Sequence, residues 1–280
     1  MLYFIPTPIG NLEDITIRSL RLLMSVPLII CEDTRVAKKL IKLLKERYGK
    51  SENIEQRFIP LHSHNEQEAA QNLNVEDFLT ADVVYISDAG MPCISDPGAA
   101  LVQFAQQNGI AYEVLPGANA LLLALAASGF EGTSFYFHGF LPHKKEARVE
   151  ELRKILLLEF NAVLYESTHR ILQLSSEIAE LAPQRVIYII KEATKMYETH
   201  YKGSALELAE KLKTVNLNGE WVVVIKGKRQ KVGEYLHEED ILPLPLPPKQ
   251  KAKLLAKMTG KSVKEWYDIL IKDNKTPKES

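Results

Sequence analysis

The sequence has only two cysteines, Cys31 and Cys93, among its 280 residues. Two cysteines provide neither a zinc-ligand spacing nor a disulfide framework, and this scarcity favours a reducing compartment. Because Cys31 ends an apolar run, we expect it to be a small buried side chain rather than a reactive thiol.

Long apolar segments are also missing. The longest fully apolar run, Ala120 to Ala127, is far too short to cross a bilayer. The N-terminus lacks the charged region and long apolar stretch that are typical of a signal peptide. We therefore expect a soluble cytoplasmic protein that does not bind membranes.

The chain has almost no net charge, −1 at neutral pH, so it has no overall attraction to nucleic acid. The two ends differ, however. Residues 226–280 carry 13 Lys and Arg against 8 Asp and Glu, whereas residues 1–225 carry 22 against 28. Contact with a polyanion is therefore expected at the C-terminal end.

Several familiar motifs are absent. The chain lacks G-x-G-x-x-G after a strand and lacks G-x-x-x-x-G-K-[ST], so neither a dinucleotide site nor a P-loop is supported. It also lacks G-x-S-x-G, the nucleophile turn of many hydrolases. Glu166, Ser167 and His169 match a hydrolase triad in composition, but neighbours on one loop rarely reach the required geometry.

A metal site has one weak candidate. Two histidines, His62 and His64, with Glu66 nearby resemble part of a ligand set, but no further ligand has a recognisable spacing. We therefore expect no metal.

The most informative stretch is Val83 to Gly98. An apolar strand ends at Ser87, a loop follows, and Ala99 to Asn108 is expected to be a helix. Gly90 and Gly98 permit unusual backbone angles, whereas Pro92 and Pro97 fix φ and remove N–H donors. The sequence indicates a rigid loop that presents its backbone to a ligand, the alternative being an ordinary turn.

Strands and helices alternate regularly as far as Gly129, which predicts an α/β protein with a mostly parallel sheet in this part of the chain. Asp14 is expected to cap the first helix, and the apolar helix 120–128 is expected to be buried. We predict a first α/β domain at 1–117, a second at 118–227, a linker at 228–248 and a small helix-turn-helix-like appendage at 249–280. The linker includes the proline-rich segment 242–248, which cannot continue a helix.

Three loops share one pattern, in which Gly or Pro and small polar residues connect a strand to a helix. They are Pro8–Asn11, Ser87–Gly98 and Pro116–Asn119. Because parallel strands end at one sheet edge, these loops should meet in one pocket. Polar clusters at 166–170 and 191–195 would close it. The expected pocket is built largely from backbone and suits an extended ligand with polar ends.

Several spaced motifs resemble one known family, the bacterial small-subunit (16S) ribosomal RNA cytidine 2'-O-methyltransferases of the tetrapyrrole methylase superfamily. The motifs cover roughly residues 2–227 and occur in this order: P-T-P-I-G-N-L-x-D-I-T from Pro6, E-D-T-R from Glu32, S-D-A-G-x-P-x-I-S-D-P-G from Ser87, P-G from Pro116, G-F-L-P from Gly139, E-S-T-H-R from Glu166 and E-x-T-K from Glu192.

The resemblance implies a two-domain tetrapyrrole-methylase-like fold (class III methyltransferase), the cofactor S-adenosyl-L-methionine and a homodimer. It also implies a set of cofactor-binding residues: Pro8, Gly10, Asp88, Gly90, Met91, Pro92, Ile94, Ser95, Asn119, Ala120, Glu166 and Ala193. This chain departs from the family at Met91, where Thr is common, at Asn119, where Ser is frequent, and at Lys191 and Ala193, where Arg and Leu are usual. The change at Lys191 matters most, because Lys cannot make the bidentate contacts of Arg.

The implied substrate is a cytidine ribose in 16S rRNA of the small ribosomal subunit. Our hypothesis places the catalytic base or orienting group among Asn11, Asp33, Glu166 and Glu192, although structural ion pairs would explain the carboxylates nearly as well. Arg35, Arg170 and Lys195 would hold phosphates. Nine Lys between 249 and 278 would contact the RNA backbone, unless they form only a solvated helical surface.

Two other functions remain open at this point. One is methylation of a tetrapyrrole or another small molecule. The other is a non-catalytic RNA-binding assembly factor that has kept the fold.

Overall fold

A computed structural model describes residues 1–49, 54–62, 66–228 and 237–273. Contacts divide the chain into two compact units, Met1–Lys228 and Arg229–Ser280. The domain boundary predicted after residue 117 lies inside the first unit and stays a prediction.

The first sheet consists of five parallel strands in the order β3-β2-β4-β1-β5. These strands are β1 (Leu2–Phe4), β2 (Leu28–Cys31), β3 (Arg57–Pro60), β4 (Val83–Ile86) and β5 (Tyr112–Val114). The helices between and after them are α1 (Ile17–Ser25), α2 (Thr34–Tyr48), α3 (Glu66–Gln71), α4 (Val75–Thr80), α5 (Ala99–Gln107) and α6 (Ala120–Ser128). This part of the chain has the parallel arrangement that the sequence predicts.

Both faces of the first sheet are covered, which explains why its central strands are apolar throughout. Along β4, Val83 and Tyr85 pack into one core with α5, and Val84 and Ile86 pack into another with α1 and α2. Cys31 is 1% exposed, as expected.

The predicted helix cap at Asp14 is wrong. Asp14 ends a short 3-10 turn, and the side chain of Thr16 caps α1 by accepting from the Ser19 N–H. Thr16 and Ser19 provide the hydroxyl and the amide at the spacing that a capped helix requires.

The second sheet has the order β6-β7-β10-β8-β9. Its strands are β6 (Phe135–Phe140), β7 (Asn161–Glu166), β8 (Val186–Lys191), β9 (Thr199–Ser204) and β10 (Trp221–Ile225), and its helices are α7 (Lys145–Leu156), α8 (Ile171–Leu181) and α9 (Ala205–Leu212). Only β6 and β7 pair in parallel. The parallel arrangement predicted for the first sheet therefore does not extend to the second.

The sequence analysis missed β9, because this edge strand is rich in polar residues such as Thr199, His200 and Lys202. Its pairing with β8 rather than its own hydrophobicity creates the strand.

Helix α6 packs through Leu121 and Ala124 against the second sheet. The expectation of a buried helix holds for that face alone, since Leu122 is 52% exposed. Gly129 ends the helix in a left-handed conformation.

The C-terminal unit contains α10 (Glu238–Ile241), α11 (Pro248–Thr259) and α12 (Val263–Asp273). A small core of Ile241, Leu255 and Trp266 joins these helices. The predicted linker therefore includes a short helix, while its residues 229–236 lie outside the described part. None of the described helices is long and apolar enough to cross a membrane.

Candidate functional site

A cavity of about 450 Å³ lies where the ends of several strands meet. Every loop that the sequence analysis singled out contributes to its lining, with Ile9 after β1, Gly90 after β4, Asn119 after β5, Ser167 after β7 and Ala193 after β8. The expectation that these loops meet in one pocket is confirmed. The further lining residues from these loops and strands are Ala89, Met91, Ile94, Ser95, Asp96, Ala120, Phe140, Tyr165, Glu166, Thr168, His169, Gly219, Glu220, Trp221 and Val222.

One wall of the cavity is the loop that follows β4. Gly90 exchanges two backbone hydrogen bonds with Thr7, at 2.9 and 3.0 Å, and has φ of +83°. Cys93 and Ser95 also have positive φ, at 67° and 63°, although neither is glycine. Such conformations cost free energy and are retained where a backbone shape is needed, so the wall is a preformed surface.

The opposite wall comes from the second sheet. Phe140 and Tyr165 end or nearly end β6 and β7, and their rings meet edge to face at 5.8 Å. The antiparallel strand β10 begins at the same edge, where Thr168 Oγ donates to the Gly219 oxygen at 2.6 Å and accepts from the Gly219 N–H at 2.9 Å. This wall is more apolar and aromatic than the first.

Three acidic residues, Asp96, Glu166 and Glu220, contribute to the cavity lining, although the side chain of Glu166 is fully buried. Burial raises the pKa of Asp96 to about 6. Glu166 is 2% exposed, and its Oε1 accepts from the Ser167 N–H at 2.7 Å and from Arg170 Nε at 2.8 Å. Its Oε2 is buried and has no hydrogen-bond partner in the described part of the chain. The carboxyl groups of Asp96 and Glu220 favour a ligand with donors or positive charge.

Comparison with known proteins agrees with this geometry. The family model described as Tetrapyrrole (Corrin/Porphyrin) Methylases matches residues 1–209. A protein of Campylobacter fetus named ribosomal RNA small subunit methyltransferase I is 50% identical over 271 residues, which cover 97% of this chain and all of that protein. A protein of the same name from Helicobacter pylori is 42% identical, covering 95% and 96% of the two chains.

The chain belongs to the ribosomal RNA small subunit methyltransferase I family, a branch of the tetrapyrrole methylases. Solved structures of other tetrapyrrole methylases have the same fold. Uroporphyrin-III C-methyltransferase from Thermus thermophilus, crystallised with S-adenosylhomocysteine, has a TM-score of 0.53 at 19% identity and covers 80% of this chain and 96% of its own. Cobalt precorrin-4 methyltransferase has a TM-score of 0.55 at 17% identity, with 80% and 94% coverage.

In this methylase, eight of the residues predicted to bind the cofactor line the cavity: Gly90, Met91, Ile94, Ser95, Asn119, Ala120, Glu166 and Ala193. Pro8, Gly10, Asp88 and Pro92 lie outside the lining. Gly10 instead packs against the hairpin that follows β8, where a Cβ atom would come within 2.4 Å of Lys195 Cγ. Asp88 accepts a hydrogen bond from the Asp33 N–H at 3.1 Å.

The four predicted catalytic residues do not come together. Glu166 lines the cavity, whereas the other three lie outside its lining. Asn11 caps a short turn and donates its N–H to Thr194 Oγ at 3.1 Å. Asp33 caps α2 and pairs with Arg35, which lowers the pKa of Asp33 to about 2. Glu192 accepts from Lys195 Nζ and from the Glu220 N–H, each at 2.9 Å.

The three cations predicted to hold phosphates all contact carboxylates. Arg35 pairs with Asp33 at 2.6 Å, but 90% of its side chain is exposed. Arg170 bonds to Glu166 and to the carbonyl oxygen of Leu141, the latter at 3.0 Å. Lys195 Nζ lies between Glu192 and Glu220, at 2.9 and 3.0 Å. Their role toward a substrate stays a prediction.

Sequence reasoning missed the aromatic side of the cavity, formed by the rings of Phe140 and Tyr165, and the lining position of Trp221, whose ring packs into the core on the other face of the sheet. All three lie at strand ends, which was a usable signal. The face of the sheet toward which Phe140 points could not be assigned from the sequence, because β6 has a bulge between Phe137 and Gly139 that shifts the register.

Glu66 of the weak metal candidate and Glu166 of the triad-like cluster make structural hydrogen bonds. Glu66 accepts from the N–H groups of Gly98 and Ala100 at 2.7 and 2.8 Å and so caps α5. His64 lies outside the described residues, among which no group of metal-ligating side chains is found. Glu166 bonds to Arg170 and the Ser167 amide, which is not the chain of bonds of a hydrolase triad.

Proposed function

We propose that this chain transfers a methyl group from S-adenosyl-L-methionine to the 2'-hydroxyl of a cytidine in 16S rRNA. The observation that carries the proposal is full-length identity of up to 50% to proteins named ribosomal RNA small subunit methyltransferase I. The cavity between the strand ends is consistent with it, because its volume lies within the roughly 300–1,000 Å³ of small-molecule sites.

The cavity suits the proposed cofactor, which carries a sulfonium and an ammonium group. The carboxyl groups of Asp96 and Glu220 supply acceptors and negative charge. Because Gly90 has no side chain, the backbone at this position can lie close to a bound cofactor. Bound S-adenosylmethionine would supply the methyl group, and Glu166, Asp96, Gly90, Asn119 and Ala193 would hold it.

Methyl transfer from sulfur to oxygen is an in-line displacement, so the protein mainly aligns the ribose oxygen and excludes water. Alignment of this kind can supply about 7–11 kcal/mol of the barrier. The Phe140 and Tyr165 rings give one side of the cavity an apolar surface, which would limit water there once the cavity is filled. A base would add to this effect, and Glu166 is the predicted candidate that lines the cavity.

Single replacements test these assignments. Each of Asn11, Asp33, Glu166 and Glu192 is changed to Ala, and methylation is measured together with cofactor affinity. Loss of turnover at unchanged cofactor affinity would identify the catalytic base, whereas weaker cofactor affinity on replacing Glu166 would assign that residue to cofactor binding instead. Unchanged turnover excludes that residue, as we expect for the helix cap Asp33.

The methyl acceptor distinguishes the remaining candidates. Labelled S-adenosylmethionine is incubated with the protein and either 30S subunits or a porphyrinogen, and the expected result is label in 16S rRNA alone. Label in the porphyrinogen would favour the small-molecule methylase. That activity is not favoured, since relatives that match nearly the whole chain at up to 50% identity are named ribosomal RNA small subunit methyltransferase I. Binding to 30S subunits without label would favour a non-catalytic assembly factor.

The C-terminal unit is proposed to contact the RNA backbone. Lys249, Lys253 and Lys257 are exposed and recur every fourth residue along α11, so they form one positive stripe. Deletion of residues 243–280, which belong to this unit, should weaken binding to 30S subunits. Unaltered affinity would refute the proposed contact with RNA. We also propose that the protein is located in the cytoplasm.

We also propose that the protein is a homodimer. Val114 of the edge strand β5 is 49% exposed and Leu122 of α6 is 52% exposed, which leaves apolar surface for a partner. Sedimentation equilibrium should give twice the mass of the chain. A monomer at micromolar concentration would contradict this.

A further inference from the structure

The hairpin loop Glu192–Glu198, which joins β8 to β9, is strained. Glu192 and Thr194 have φ of 53° and 64°, in the left-handed region. This conformation is unfavourable for side chains other than glycine and most of all for a β-branched residue such as Thr194. A strained backbone persists only where surrounding contacts impose it, and such segments cluster at functional sites.

Contacts from several directions impose this shape. Lys195 Nζ links Glu192 and Glu220, and Thr194 Oγ accepts from the Asn11 N–H at 3.1 Å. The carboxylate of Glu198 accepts from the Thr194 N–H and from His200 Nε2, the latter at 2.7 Å. The loop is therefore held to both sheets of the Met1–Lys228 unit.

The tip of this fixed loop carries Met196 and Tyr197, whose side chains are 88% and 74% exposed. They are the two most exposed large apolar residues in the described part of the chain. A rigid loop that presents two adjacent apolar groups to solvent is typical of a contact site. Ala193, four residues before Tyr197, lines the cavity, so the two Cα atoms lie within about 14 Å of each other.

We propose that Met196 and Tyr197 form a platform on which a nucleobase of the acceptor RNA stacks, at or beside the methylated nucleotide. The inference rests on the proposed function. Proteins hold unpaired RNA bases on aromatic rings, and the ribose of the acceptor must be held in line for methyl transfer. Two side chains are far too small for a stable protein interface, which needs about 800 Å² from each partner.

The test compares Tyr197→Ala with Tyr197→Phe, and Leu157→Ala serves as the matched control. Leu157 is 68% exposed and follows the last residue of α7. It lies near the first residue of β7, whereas the opposite end of that strand lines the cavity. Steady-state methylation of 30S subunits gives kcat and KM, gel shift gives the Kd for a small-subunit rRNA fragment, and calorimetry gives the Kd for S-adenosylmethionine.

Tyr197→Ala should raise the KM and Kd for RNA about tenfold, because stacking is the interaction it removes. Tyr197→Phe should stay within about twofold of wild type, since the ring remains. All variants should bind S-adenosylmethionine as wild type does, and Leu157→Ala should change nothing.

Three results would overturn the platform. They are unchanged RNA affinity in Tyr197→Ala, an equal loss in Tyr197→Phe, and a lower oligomeric mass of Tyr197→Ala in sedimentation, which would assign the tip to a second copy of the chain. If the wild-type protein binds the rRNA fragment but methylates no RNA, the proposed function fails. The stacking platform is still tested in that case, because the gel shift measures RNA binding without methylation.

Discussion

Arg170 Nε donates to one oxygen of the Glu166 carboxylate at 2.8 Å, while the other oxygen is buried and bonds to no described residue. The ion pair therefore fixes the carboxylate in one orientation. The side chain of Glu166 is fully buried, and a buried acceptor without a partner costs free energy. The pair thus has a structural role, while cofactor binding by Glu166 stays a prediction.

Glu166→Gln should weaken S-adenosylmethionine binding about tenfold or more, because a hydrogen bond to a charged group contributes about 1.5–3 kcal/mol. Calorimetry measures the affinity. The matched control is Glu177→Gln, which alters the buried Arg148–Glu177 pair, with bonds of 2.7 Å, away from the cavity lining. That control should lower thermal stability and leave the affinity unchanged. Equal affinities in the two variants would disprove the role of Glu166.

Gly90→Val should abolish S-adenosylmethionine binding without unfolding the chain. A Cβ atom at Gly90 would lie 3.2 Å from Ile9 Cγ2, and φ there is +83°. Gly109→Val imposes similar strain at φ of +64° with no atom within 4 Å, so it reports the cost of strain alone. Both variants should lose about 1–3 kcal/mol of stability. Normal cofactor affinity in Gly90→Val would refute the placement of the cofactor beside this loop.

Asp96 should make stability depend on pH. Burial raises its pKa from 3.8 to about 6, so between these values the folded chain holds a proton that the unfolded chain has released. Stability from this group is therefore lost as the pH rises from about 4 to about 6. Asp96→Asn should melt at a higher temperature than wild type at about pH 8 and at a similar temperature near pH 4. A difference in melting temperature that does not vary with pH would contradict this.

Replacing Lys249, Lys253 and Lys257 with Gln should reduce the salt dependence of RNA binding. Three lost phosphate contacts would lower the slope of log affinity against log salt by about 2, at about 0.7 for each contact with single-stranded RNA. The control replaces Lys38, Lys39 and Lys42, three exposed cations of α2. If both triple variants change the slope equally, the stripe on α11 has no specific role.

The positions of the first-sheet strands and of the cavity loops could be predicted, because apolar runs followed by Gly, Pro and small polar residues mark strand ends directly. The strand β9 and the antiparallel pairs could not, since polar edge strands depend on their neighbours.

The catalytic candidates show a second limit. Asp33, Glu166 and Glu192 each have a basic partner two to four residues later, namely Arg35, Arg170 and Lys195. That spacing is visible in the sequence and was a sign of local ion pairs. Which carboxylate also lines the cavity depends on how the two sheets meet, and this is a long-range property.

Gly10 has a consequence for the shape of the cavity. Because Gly10 has no side chain, the loop after β1 lies directly against Thr194 and Lys195 of the hairpin, and this contact joins the two sheets at one end of the cavity. A larger residue at this position would push the loop and the hairpin apart. The width of the cavity at this corner thus depends on the absence of a side chain at residue 10.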